Sequence, residues 1–233
     1  MYFNNINLVT KYGIIVMDKG INTAEKEIFY DWSNNSLDPI KLQKSKTKYA
    51  IFNPKILVED TSQTNLEIKI SNILLECQSG VLKYSDLNFS YDVELNNSSV
   101  KYINQTSCEL MLEFQVNCKY SEEKTIIKNS ITQFVVNNEG NADTYCKLEI
   151  TPSTSYIDLT VKGLTDKEFK IKNLEANKTI IIDKKNGITV DGNNKFNDVE
   201  NLWEFPKLLK GNNNVILSRN SINIKIIYKE RFI

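Results

Sequence analysis

Residues 110–120 most constrain what this chain can become. Leu110, Leu112, Phe114, Val116, Cys118 and Tyr120 alternate with Met111, Glu113, Gln115, Asn117 and Lys119. Successive strand side chains point to opposite sides, so a period of two sustained this long specifies a β-strand with one buried face. The alternation returns in Ile157–Lys162, in Phe169–Lys172 and in Ile222–Ile226. The pattern predicts a mainly β chain, β-rich α+β in class.

Turn and cap signals divide the rest. Asn186-Gly187 stands between Thr179–Asp183 and Ile188–Val190, and Asn-Gly tolerates the two positive φ angles of a tight hairpin. Arg219-Asn220 separates Val215–Leu217 from Ile222–Ile224 and reads as a second hairpin. One helix is expected over 65–78. Thr64-x-x-Glu67 has the form of a capping box, Ile70, Ile73, Leu74 and Cys77 share helical spacing, and Gly80 offers a stop. Its first turns, Leu66–Ile70, also read as a strand. The polar run Asn137–Asn141 marks a break, predicting a mixed domain over 1–136 and an all-β domain over 137–233 with the strand spacing of a sandwich.

Composition narrows the function classes. With 233 residues and 41% hydrophobic content, the chain can bury one large core or two small ones. Its formal net charge is zero, which argues against affinity for nucleic acid or an anionic membrane, since both demand excess Lys and Arg. Asn, Lys and Ile are abundant and arginine occurs only at 219 and 231, a bias that AT-rich codons explain. The Asn are spread along the chain, unlike a prion-like tract. Asn4, Asn5 and Asn7 interrupt the region where a signal peptide needs an apolar core. No apolar run reaches the ~18 residues of a membrane helix. Cys77, Cys108, Cys118 and Cys146 are irregularly spaced, which predicts free buried or half-buried thiols rather than disulfides, in a protein folded in a reducing cytoplasm.

The chemistry carried by the side chains is sparse. The chain has no histidine, which removes Ser-His-Asp and Cys-His mechanisms and the commonest zinc ligand. No glycine-rich phosphate loop occurs. A glycosidase carboxylate pair stays open, because 29 acidic residues supply candidates and the sequence singles out none. Asp183, Asn186, Asp191, Asn193, Asn194, Asn197 and Asp198 form either an oxygen-rich calcium loop or ordinary turns. Trp203 and Phe205, beside Pro206, offer either a sugar-stacking platform or a plug for a core or seam. No catalytic, cofactor-binding or metal residue is assigned, and the residues of any binding site are left unknown.

Beyond the single motifs, their order resembles the phage distal tail protein family. The carriers are Phe3–Asn7 followed by Tyr12-Gly13-Ile14, one helix, Gly80–Asp86, long strands over 108–120, Phe205-Pro206-x-Leu208, Gly211-Asn212 and a final basic-aromatic strand. The chain departs from the family in having no glycine over 30–50 and little proline. The resemblance implies a β-barrel-like, ring-forming N-terminal domain and a galectin-like C-terminal β-sandwich, with the last strand, 221–233, returning to the ring domain. It also implies a structural, non-enzymatic role at the virion tail tip after assembly in the host cytoplasm. The implied partners are five further copies in a homo-hexamer, the tail tube on one face, the tail hub or tail-associated lysin on the other, and receptor-binding proteins at the periphery. DNA would pass through the lumen unbound, with no cofactor and no membrane. A glycan-binding sandwich, a true lectin, is the alternative, because fold alone does not separate them.

Overall fold

In the computed structural model the described residues are 1–23, 26–27, 30–31, 37–38, 40–41, 46–47 and 49–232. Much of the glycine-free stretch over 30–50 and the terminal Ile233 therefore lie outside them. The chain divides into two compact units, Met1–Lys119 and Tyr120–Ile233.

In the first unit the main strands are β1 (Ile15–Asp18), β2 (Ala50–Phe52), β3 (Lys55–Glu59), β4 (Ser79–Lys83), β5 (Ser90–Asn104) and the start of β6 (Ser107–Asn129). The alternation read from 110–120 is the middle of β6, and Cys108, Leu110, Leu112, Phe114, Val116 and Cys118 are its buried face. β6 pairs antiparallel with β3, from Ser107↔Glu59 to Met111↔Lys55, and with β2 through Phe114↔Phe52. Its other neighbour is β5, which pairs in turn with β4. Phe3, Leu8, Ile56, Val58, Leu66, Ile70 and Ile73 close the core, and Phe3 stacks on Phe114 at 6.0 Å between ring centres.

The long helix, α2 (Gln63–Glu76), follows a short one, α1 (Leu8–Tyr12). Among the described residues there are thus two α-helices rather than one, since five residues are too few to show a helical period. α1 is announced only by its caps: Asn7 Oδ1 accepts from the Val9 and Thr10 amides, and Gly13 ends it at φ +62°. The cap of α2 is Ser62, whose Oγ accepts from Asn65 N at 3.2 Å. Thr64, expected to cap, lies inside the first turn, and Glu67 instead accepts from Gln63 Nε2 at 3.3 Å. Nor is Gly80 the stop. The helix ends at Glu76, with Cys77 N donating to Ile73 O. Gly80 sits in β4, where a Cβ would lie 2.1 Å from Asn4 Oδ1, an atom already accepting from Val81 N at 2.9 Å. Glycine there allows Asn4 to close the sheet.

The second unit is a β-sandwich. Its strands are β7 (Gln133–Asn138), β8 (Thr144–Pro152), β9 (Tyr156–Lys162), β10 (Phe169–Leu174), β11 (Ile180–Asp183), β12 (Gly187–Val190), β13 (Gly211–Leu217) and β14 (Ile222–Phe232). One sheet runs β12-β11-β8-β14 and continues to the end of β6, and the other runs β7-β13-β9-β10 and ends on Val199–Glu200. Leu148, Ile150, Ile182, Ile224 and Ile226 of the first face Val136, Leu159, Val161, Phe169 and Val215 of the second across a common core. At ~25 cal/mol per Å² of apolar surface, this interdigitated layer is the dominant stabilisation of the unit.

Two hairpin readings meet different outcomes. β11 and β12 do form a hairpin, paired from Ile180↔Val190 to Asp183↔Gly187. Its loop is Lys184–Asn186, and only Gly187 adopts positive φ, at +76°. The geometry is the three-residue type closed by a left-handed glycine, rather than a two-residue turn. Arg219-Asn220 is not a hairpin turn. β13 pairs with β7 and β9, whereas β14 pairs with β8 and β6, so the chain crosses between sheets there. Arg219 is held at the crossing by Asp158 of β9, with Nη2 to Oδ1 2.8 Å.

Candidate functional site

The polar turns of 183–198 are built from their own oxygens. Asp183 Oδ1 accepts from Lys185 N at 3.2 Å and its Oδ2 from Asn186 Nδ2 at 2.7 Å. Asn194 Oδ1 accepts from Phe196 N at 2.8 Å. Asp198 accepts from Asn173 Nδ2 at 2.9 Å and pairs with Lys195 at 3.1 Å, contacts that hold its carboxyl below its usual range, with Asn173 the larger cause. Asp191 stands at a positive-φ corner. The structure spreads these residues over successive turns, and among the described residues no group of three or more His, Cys, Asp or Glu converges. A cavity beside them, lined by Ile171, Asn173, Lys178 and Lys195, holds about 10 Å³, which suffices for a water and not for a small substrate.

The aromatic pair of 203–205 is split. Phe205 packs on the sandwich core and Pro206 is buried, while Trp203 is 86% exposed. Next to Trp203 in sequence, Glu204 and Asp166 share Lys207, at 2.9 and 3.1 Å from its Nζ. Ile157, read as the first core residue of its strand, is likewise 86% exposed. The apolar face of β9 thus reaches the core only from Leu159 onward.

The polar run 137–141 also carries structure that its composition does not announce. Asn138 is buried, and its Nδ2 donates to the carbonyls of Ala142, Leu208 and Leu209 while Oδ1 accepts from Gly140 N. Asn213 mirrors it, donating to Val136, Leu209 and Gly211 carbonyls and accepting from Leu209 N. Glu230, at 4% exposure the one charged residue in the core among those described, accepts from Lys124 Nζ at 2.7 Å and from Glu139 N at 3.0 Å. Strand alternation could have flagged it: Glu230 continues the inward series Ile222, Ile224, Ile226 and Tyr228. The four cysteines are free and buried. Burial pushes the Cys77 and Cys146 thiols up to about 12, so neither is a nucleophile near neutral pH.

In the first unit the exposed apolar residues fall on strands. Ile15 and Met17 lie on β1, and Val100, Tyr102 and Ile103 on the last part of β5. Exposed apolar strands are surfaces suited to protein contact.

Comparison with known proteins bears on these surfaces. Residues 139–232 match the family of the siphovirus-type tail component, C-terminal domain. The whole chain superposes on the Dit protein (gp 19.1) of phage SPP1, a hub adsorption apparatus protein, with a TM-score of 0.78 at 16% identity, covering 100% of this chain and 98% of that one. A chain of the phage P2 baseplate, in its activated conformation with Ca, gives a TM-score of 0.53 at 11% identity over 94% of this chain and 91% of that one. No curated protein matches it in sequence. The likeness to phage distal tail proteins read from the order of turns and aromatics therefore holds: residues 139–232 match the siphovirus-type tail component C-terminal domain, and the fold is shared along the whole chain.

Proposed function

We propose that this protein is a distal tail protein of a phage or phage-like tail, six copies of which form the ring joining the tail tube to the tail hub or tail-associated lysin. The observation that carries the reading is the coincidence of the family match over 139–232 with a fold shared along the full length of the SPP1 Dit protein. The N-terminal unit, Met1–Lys119, forms the ring, and the C-terminal sandwich presents surfaces for receptor-binding components. The protein works at the virion tail tip and is structural rather than hydrolytic. A zero net charge supports a lumen through which DNA slides without arrest. Native mass spectrometry of the purified protein, and electron microscopy of tails, test this. A six-fold ring is the expected result, and a protein that stays monomeric or dimeric even in purified tail tips overturns it.

Trp203 favours one second reading, glycan binding by the sandwich, because an exposed indole is a stacking surface for a sugar ring. Glycan-array binding that disappears in Trp203→Ala, with the melting temperature unchanged, supports it. Equal binding by both proteins rejects it.

A further inference from the structure

Asparagine is abundant in this chain, yet Asn186 alone is followed by glycine. Asparagine is a chemically labile residue. The backbone nitrogen of the next residue can attack its side-chain carbonyl carbon, and a side chain on that next residue hinders the approach. Glycine has none. The β11–β12 hairpin presents this step to solvent. Its last ladder pair is Asp183↔Gly187, and Lys184, Lys185 and Asn186 beyond it are all exposed. Gly187 stands at φ +76°, and a Cβ built on it would meet nothing within 4 Å, so the space around the attacking nitrogen is open. The buried Asn138 and Asn213 are placed differently, with side-chain amides donating to main-chain carbonyls inside the sandwich.

The surroundings of Asn186 decide what a change there would do. Its Nδ2 donates to Asp183 Oδ2 at 2.7 Å, while Asp183 Oδ1 accepts from Lys185 N at 3.2 Å. One carboxylate thus ties the loop together from both of its oxygens. Exchanging the Asn186 amide for an acid removes the donor and sets a second carboxylate against the first. Rerouting the main chain through the side chain lengthens the loop as well, and the register of a hairpin is tied to its loop length. β12 is the strand that responds. It is held in its sheet by β11, with only Asn193–Asn194 on its other side among the described residues, and it buries Ile188 and Val190 in the core.

We infer that Asn186 is a site of spontaneous deamidation, and that its conversion loosens β12 from the sandwich. Gly187 N gives its proton to hydroxide and bonds to Asn186 Cγ. The Cγ–Nδ2 bond breaks, and ammonia leaves with a proton returned by water. Water then opens the resulting succinimide at either carbonyl, giving aspartate or isoaspartate. One water is consumed and one ammonia released, and nothing is oxidised or reduced. The inference is independent of the ring reading.

Timed incubation of the folded full chain at mildly alkaline pH tests the site, with the same chain in urea as reference. Peptide mapping by mass spectrometry should find the mass gain of an amide-to-acid exchange first in the peptide holding Asn186, with part of the product labelled by an isoaspartyl methyltransferase. Asn186→Gln should lack that early conversion, because its longer side chain closes a less favourable ring. Hydrogen exchange of the aged parent should be faster over Ile188–Val190 than in fresh protein. Asn186 that stays intact in the folded chain while it converts in urea overturns the inference, since the hairpin then shields it. Earlier conversion of another asparagine in the folded chain also overturns it. Conversion at Asn186 with unchanged exchange over Ile188–Val190 overturns the loosening of β12.

Discussion

Ile226 and Lys225 are neighbours with opposite consequences. Ile226 is fully buried on the inward face of β14, whereas Lys225 points outward and pairs with Glu149 at 3.1 Å. Ile226→Asp is expected to cost about 4 kcal/mol or more, through an unpaired charge in the core, and to abolish soluble expression or lower the melting temperature steeply. Lys225→Asp should cost under about 1 kcal/mol, the scale of a surface pair. Thermal melts of the two variants check the ordering. Glu149 sets an acid limb as well. Lys147 chiefly, and Lys225 after burial, act on its carboxyl, and the net effect holds it below its usual range. Because the folded state holds the proton less tightly, the contribution is present above the ordinary carboxylate range and is lost as pH falls through the lowered value. Melting temperature against pH should therefore fall less steeply at the acid end in Glu149→Gln. Inwardness of residues such as Ile226 was legible from alternation alone. The roles of Asn138 and Asn213 were not, because a polar residue in sequence gives no sign of which carbonyls fold back onto it.

At the scale of elements, period and caps proved unequal guides. The long periodic pieces, β6, β14 and α2, were readable because many residues repeat the same statement. The ends were not, since Ser62, Thr61 and Thr64 all offer a hydroxyl before one helix, and only the geometry selects Ser62. Ser62→Ala should lower stability by about 1 kcal/mol, and Thr64→Ala by much less, as denaturant melts will show. The crossing at Arg219-Asn220 was read as a hairpin because local sequence specifies that the chain turns, not which sheet it joins afterwards. The exposed β1 escaped notice for a related reason: Ile15 and Met17 are apolar like core residues, and only the sheet order shows that nothing described covers them.

For the whole molecule, the fold class and the relationship to tail components were legible because they rest on the order of many weak signals along the chain. A contact between copies is not written in one chain's periodicity, since the pattern reports burial without naming what does the burying. The thiols give one test at this scale. All four are buried and two are held up to about 12, so a thiol reagent should label nothing in the native protein at neutral pH and all four cysteines after denaturation. Fast native labelling of any one would show local opening of its unit. The exposed apolar residues of β1 and β5, Ile15, Met17, Val100, Tyr102 and Ile103, carry a further consequence, for purity and storage rather than for architecture. Apolar strand edges without a strand partner among the described residues invite association that grows with concentration. Concentrated stocks should then scatter light increasingly with time, and dilution should slow the growth.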